Sequence, residues 1–207
     1  MSSAVAALKE DADGIKAALG SAGELSLIVT AEDVLRRSLL IAAASAFEHE
    51  LGRRIDAVFT EQNCSPECLA LIRTKAISRQ FYTYFDFDGK NTNKLFIAFG
   101  GECKDRASAA IRASEELKAA QDAFLEICRT RNAMVHTNFA AFTIELSSDE
   151  IYDKYKLGLK FVDFFEAMIR GSSGATLAVR ESNGADGDAS ADVVDSQEDG
   201  RGDAART

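Results

Sequence analysis

The sequence predicts an all-α protein: a bundle of four main helices plus short helices, followed by a disordered acidic C-terminal tail. Three observations lead to this class. Apolar residues recur at steps of three and four over long stretches. Helix start signals stand before several of these stretches, among them the chain's single proline, Pro66, directly behind Ser65. Alternation at a step of two is confined to Phe142, Ile144 and Leu146, which have no obvious partner strand.

Residues 1–25 read as an N-terminal helical arm. Leu8, Ile15 and Leu19 line up on one side, and Gly20 and Gly23 end the pattern. Residues 26–171 read as the main domain. Its first long helix is expected over 31–59, with Thr30 as N-cap and Glu32 and Asp33 in the first turn. Val34, Leu40, Ile41, Ala44, Leu51, Ile55 and Phe59 form its apolar arc, and Glu48 projects into the middle of that arc. Ser65 and Pro66 open a second helix, expected over 67–84. It ends in the aromatic run Phe81, Tyr82, Tyr84, Phe85 and Phe87, which reads as core or dimer interface and less often as a base-stacking surface. Asp88-Gly89-Lys90-Asn91 is a loop signal, and a short helix is expected over 93–99.

A third long helix is expected over 112–135, with Leu117, Ala120, Phe124, Ile127 or Cys128, and Val135 on its stripe. Ser147-x-x-Glu150 makes a capping box. It opens a last helix with Ile151, Tyr155, Val162, Phe165 and Ile169 on one face, stopped by Gly171. Residues 172–207 are rich in Gly, Ala, Ser and Asp and are expected to be a disordered acidic tail.

Charge narrows the function classes less than its total implies. The chain carries −9, but the tail holds eight acidic residues against three arginines, so −5 lies there and −4 in the rest. The span from Leu71 to Lys118 has nine basic and six acidic residues, a local +3. A basic surface suited to RNA is therefore available without a basic protein. The four cysteines at 64, 68, 103 and 128 match no strong zinc pattern and read as free thiols in a reducing cytosol. No metal or cofactor is expected. No stretch is long or apolar enough to span a membrane, and the N-terminus lacks the basic start and apolar core of a signal peptide. The expected location is the cytoplasm.

The chemistry concentrates in Arg131-Asn132-Ala133-Met134-Val135-His136, which holds one of only two histidines. A guanidinium binds phosphate and stays charged, and an imidazole exchanges a proton near neutral pH. Arg131 lies on the apolar stripe, within about 20° of Phe124, where an unpaired charge is costly. Glu48 on the facing arc is its expected partner. That contact reads either as a buried ion pair fixing helix register or as half of a phosphate-binding site. Positions five apart on a helix differ by about 140°. Arg131 and His136 thus converge only if the helix distorts between them or two chains meet about a twofold axis.

The hexapeptide resembles the R-x4–6-H signature of the HEPN superfamily. Ser45-Ala46-Phe47-Glu48-His49-Glu50 is similar to the first long helix of prokaryotic HEPN proteins, close to the RiboL-PSP-HEPN group, and Phe124 to Asn138 to that group's catalytic helix. The resemblance covers roughly residues 30 to 170. It implies a homodimeric, metal-independent endoribonuclease, commonly of a toxin–antitoxin, antiviral or other conflict system, with an antitoxin or defence protein as further partner. His136 would move the proton, Arg131 stabilise the phosphate, Asn132 hydrogen-bond it or orient the histidine, and Glu48 hold Arg131. HEPN toxins silenced by a nucleotidyltransferase often carry Tyr two residues after the histidine. Asn138 stands there instead, which argues against control by adenylylation at that position. The alternative is a non-catalytic HEPN module for dimerisation and for binding RNA or a partner.

Overall fold

A computed structural model describes residues 4–87, 90–137 and 141–171. The expected tail at 172–207 and Asn138 lie outside the described residues. Among the described residues seven α-helices follow one another: α1 (Ala4–Ser21), α2 (Leu25–Glu61), α3 (Pro66–Leu71), α4 (Asn93–Ile97), α5 (Gly101–Ala113), α6 (Glu115–His136) and α7 (Ser148–Ile169). A π-helical segment, Ile72–Ile77, continues α3, and a 3₁₀ turn, Phe81–Tyr84, follows it. Among the described residues there is no strand, only an isolated bridge between Asp86 and Asn91. The protein is all-α.

Ion pairs fix the directions of the long helices. Lys160–Glu116 at 2.6 Å and Lys154–Glu126 at 2.8 Å run α6 antiparallel to α7. Glu32 accepts from the Ser148 amide, and Arg54 reaches Asp163 at 2.7 Å, so α2 runs parallel to α7. Phe47 sits where the three meet, 4.8 Å from the Phe124 ring centroid and 5.4 Å from that of Tyr155. Gly158 of α7 makes this possible. A Cβ there would lie 2.5 Å from Phe47 Cζ and 3.2 Å from Phe124 Cα. The N-terminal helix α1 is packed rather than extended away: Val5 and Ala12 are buried, and Lys9 pairs with Asp149 at 2.7 Å.

Local capping chemistry places several ends where the sequence predicts them. Ser65 Oγ accepts from the Cys68 amide, with Pro66 in the first turn. Both halves of the Ser147–Glu150 capping box form, and Gly171 follows α7 with φ 73°. Elsewhere the boundaries move. Helix α2 begins at Leu25, and Thr30 lies inside it, donating to Ser26 O instead of capping. Nothing between Leu25 and Phe59 breaks a helix, so propagation past Thr30 costs little. The expected helix over 112–135 forms as α6 but starts three residues later, because Arg112 and Ala113 end α5. Ser114 turns extended between α5 and α6, and its side chain caps the Leu117 amide. The expected helix over 67–84 also breaks: Ser78 is extended and Arg79 adopts φ 59°. The short piece around Ile144 pairs with no strand; its carbonyl accepts from Arg36 at 2.8 Å.

Candidate active site

The last turns of α6 carry the motif. The helix begins under strong local control, with Ser114 as N-cap and Glu115 and Glu116 in its first turn. Leu117, Ala120, Phe124, Ile127 and Cys128 are buried, as their stripe requires. The stripe then runs out of the core. Arg131 is half-buried and Val135 is 41% exposed. The stripe predicts Val135 inside, but the neighbouring Met134, fully buried, takes the core-facing position of this last turn.

Arg131 lies with its Cζ 4.7 Å from the centroid of the Tyr82 ring. Its Nε is buried without a hydrogen bond, and so is the Tyr82 hydroxyl. Burial pushes the Tyr82 phenol up to about 12, with Arg131 opposing and Glu48 adding to the shift. Burial likewise raises the Cys128 thiol, again with Arg131 and Glu48 acting in opposite directions. Glu48 and Arg131 thus act on the same pair of neighbours. They form no ion pair within 4.0 Å of each other. The partner the sequence assigns to a carboxylate is a ring face, worth about 0.5–2 kcal/mol by cation–π attraction. The register-fixing ion pair is therefore absent.

His136 is the last residue of α6 and is exposed. The helix stays regular through the motif and closes only beyond it, where Thr137 Oγ1 donates to Ala133 O at 2.9 Å. The distortion that would bring Arg131 and His136 together in one chain does not occur. Asn132 and His136 lie about 40° apart on an outer face, while Arg131 points inward, about 140° from His136. One chain therefore presents the His136 imidazole and the Arg131 guanidinium in different directions. Among the described residues no group of three or more His, Cys, Asp and Glu is placed to hold a metal ion. No described helix is long and apolar enough to cross a membrane.

The family model RiboL-PSP-HEPN matches residues 11–170, which takes in Glu48, Arg131, Asn132 and His136. The chain belongs to the RiboL-PSP-HEPN family. No curated protein and no solved structure matches it. HEPN domains are generally ribonucleases or RNA-binding modules, and many dimerise. In this HEPN chain two residues beside the motif escape sequence reading. Tyr82 is hidden within an aromatic run whose members differ in fate: Phe81 and Phe85 are buried, whereas Tyr82 receives the arginine. His49, the second histidine, adjoins Glu48 and lines a cleft of about 450 Å³ between α2 and the π-helical segment. Its position next to a stripe carboxylate is the only sequence signal for it.

Proposed function

We propose that this HEPN protein is a metal-independent endoribonuclease that acts as a homodimer in the cytoplasm, in a prokaryotic toxin–antitoxin or defence system. The observation that carries the reading is the division of the motif. Arg131 is anchored on Tyr82, while His136 is exposed at the helix end. Two chains meeting about a twofold axis would bring Arg131 of one to His136 of the other around one groove. The exposed Val135, about 40° from Arg131, suits such a contact.

In that groove the RNA 2′-oxygen attacks the adjacent phosphorus, and the bond from phosphorus to the 5′-oxygen breaks. His136 accepts the 2′-hydroxyl proton and returns it to the leaving oxygen. Arg131 balances the charge that builds on the phosphoryl oxygens. Asn132, on the face of His136, donates to the phosphate or orients the imidazole. Glu48 sets the field around Tyr82 and Arg131 without bridging to the guanidinium. The products are a 2′,3′-cyclic phosphate and a 5′-hydroxyl.

The test uses purified protein in EDTA. Single-stranded RNA is cut, DNA of the same sequence is not, and His136→Ala loses cutting by about 10²–10⁴-fold while remaining folded. RNA binding by both proteins with cutting by neither would make the chain a non-catalytic RNA-binding module. Cutting only with added divalent metal would refute the mechanism.

A further inference from the structure

The cleft beside His49 is built from several independent features. Helix α2 and the π-helical segment approach closely at Gly52, where a Cβ would meet Ile77 Cγ2 at 3.0 Å. The floor is apolar, formed by Leu51, Ile55 and Phe81, all nearly or fully buried. Tyr84 stands in the wall, and its hydroxyl donates to the Ala76 carbonyl at 2.5 Å, which holds the ring in place. π-helical turns occur frequently at functional sites. A volume near 450 Å³ lies within the range of small-ligand pockets.

The rim is cationic, and part of that charge is unspent. Arg73 is held bidentately by Asp56, and Arg53 by Glu50 at 2.8 Å. Among the described residues Arg79 has no acidic partner and His49 makes no hydrogen bond. Arg79 also sits at φ 59°, a conformation that costs a non-glycine residue about 1 kcal/mol or more. Strain of this kind clusters at ligand sites. Residues 72–79 carry Arg73, Lys75 and Arg79 with no acid among them.

A fixed aromatic ring beside an uncommitted arginine and a histidine over an apolar floor is the chemistry of base stacking with phosphate contact. Phe81 of the floor neighbours Tyr82, which packs on Arg131. Glu48 lines the cleft and shares a field with Arg131 at Tyr82 and Cys128. We infer that this cleft seats one nucleotide of a single-stranded RNA, its base against Tyr84 and its phosphate between Arg79 and His49. The assignment rests on the RNA reading above and adds a binding subsite distinct from the reacting groups.

The experiment is fluorescence anisotropy with a labelled 2′-O-methyl RNA oligomer across a salt series. The probe lacks an attacking hydroxyl, so it reads the cleft whether or not the protein cuts RNA. Arg79→Gly removes the cation while accepting the backbone angle. It is expected to weaken binding several-fold and to flatten the slope of log K against log salt by about 0.7, the loss of one phosphate contact to a single strand. His49→Gln is expected to weaken binding by less than Arg79→Gly. Tyr84→Leu is expected to cost about tenfold, with Tyr84→Phe recovering most of it. These losses support the cleft even if no RNA is ever cut. Unchanged affinity and slope in Arg79→Gly and Tyr84→Leu would overturn it, and so would adenosine 5′-monophosphate binding as tightly as the oligomer.

Discussion

The Arg131 guanidinium lies over the face of the Tyr82 ring, 4.7 Å from its centroid, and neither Arg131 Nε nor the Tyr82 hydroxyl has a hydrogen-bond partner. The arginine is therefore positioned by dispersion and ring electrostatics, not by a carboxylate. A carboxylate partner would neutralise its charge and compete with phosphate. A ring face holds the plane in place and leaves the donors' charge available for an anion.

Tyr82 thus separates two roles in a way that stability measurements can read. Tyr82→Phe keeps the ring and deletes a buried, unsatisfied hydroxyl, so urea unfolding should show it as stable as wild type or up to about 1 kcal/mol more stable. Tyr82→Ala should lose roughly 2–4 kcal/mol, because it removes the ring from Arg131 and opens a cavity. A loss above about 1 kcal/mol in Tyr82→Phe would mean that the hydroxyl has a partner in solution.

The proposed dimer predicts complementation. Arg131→Ala and His136→Ala proteins are each expected to be inactive on RNA. Mixed and allowed to exchange subunits, they form some dimers in which one groove keeps an intact Arg131 and His136. Activity should return to about a quarter of wild type, the share set by random pairing. A mixture as inactive as its components, with exchange verified by native mass spectrometry, would rule out a groove shared in this manner.

Gly158 marks the tightest helix contact. Gly158→Ala drives a methyl into Phe47 and the Phe124 backbone, and should destabilise the fold by about 1–3 kcal/mol in thermal or urea unfolding. Gly14→Ala is the control. Its added Cβ meets nothing within 4 Å on an exposed turn of α1, so it should stabilise by about 0.4–1 kcal/mol. Equal effects from the two substitutions would mean that α7 does not approach α2 and α6 this closely.

Acid should weaken the fold through three surface carboxylates. Asp13, Glu50 and Asp56 are held below their ordinary values, first by hydrogen bonds from Lys9, Arg53 and Arg73 respectively. A depressed carboxylate contributes stability that is complete above its ordinary value, 3.8 for Asp and 4.5 for Glu, and is lost as pH falls through the lower folded value. Unfolding midpoints should stay level in this respect between about pH 7 and 5 and fall below about pH 4. Added salt should shrink the change, since all three pairs reach solvent. A midpoint that rises on acidification would contradict the assignment.

Much of the fold is legible in the sequence where the deciding chemistry is local. The Ser147–Glu150 box, Ser65-Pro66 and Gly171 each specify a helix end within four residues, and each end forms as expected. Ser114 carries the same kind of signal before Glu115 and Glu116, and it starts α6 three residues after the expected position. The candidate residues can be named from the sequence, but their surroundings cannot. An arginine on an apolar stripe identifies itself by its cost. Which neighbour offsets that cost depends on where Tyr82 arrives, and this follows from a π-helical segment and an arginine at positive φ that no periodicity announces. Val135 illustrates a different case: the core-facing position of the last turn passes to Met134, which leaves Val135 exposed.

The unbroken course of α6 through the motif has a consequence for how such an activity scales. When the two halves of a site point apart on one rigid helix, a lone chain has no working centre at all. In the proposed dimer, output then follows the square of chain concentration while pairs are scarce. Slow synthesis leaves the protein inert, and a modest rise in its level switches it on steeply. A neutralising partner need not reach the chemistry itself. Covering the Val135 face of one chain would be enough to keep it harmless.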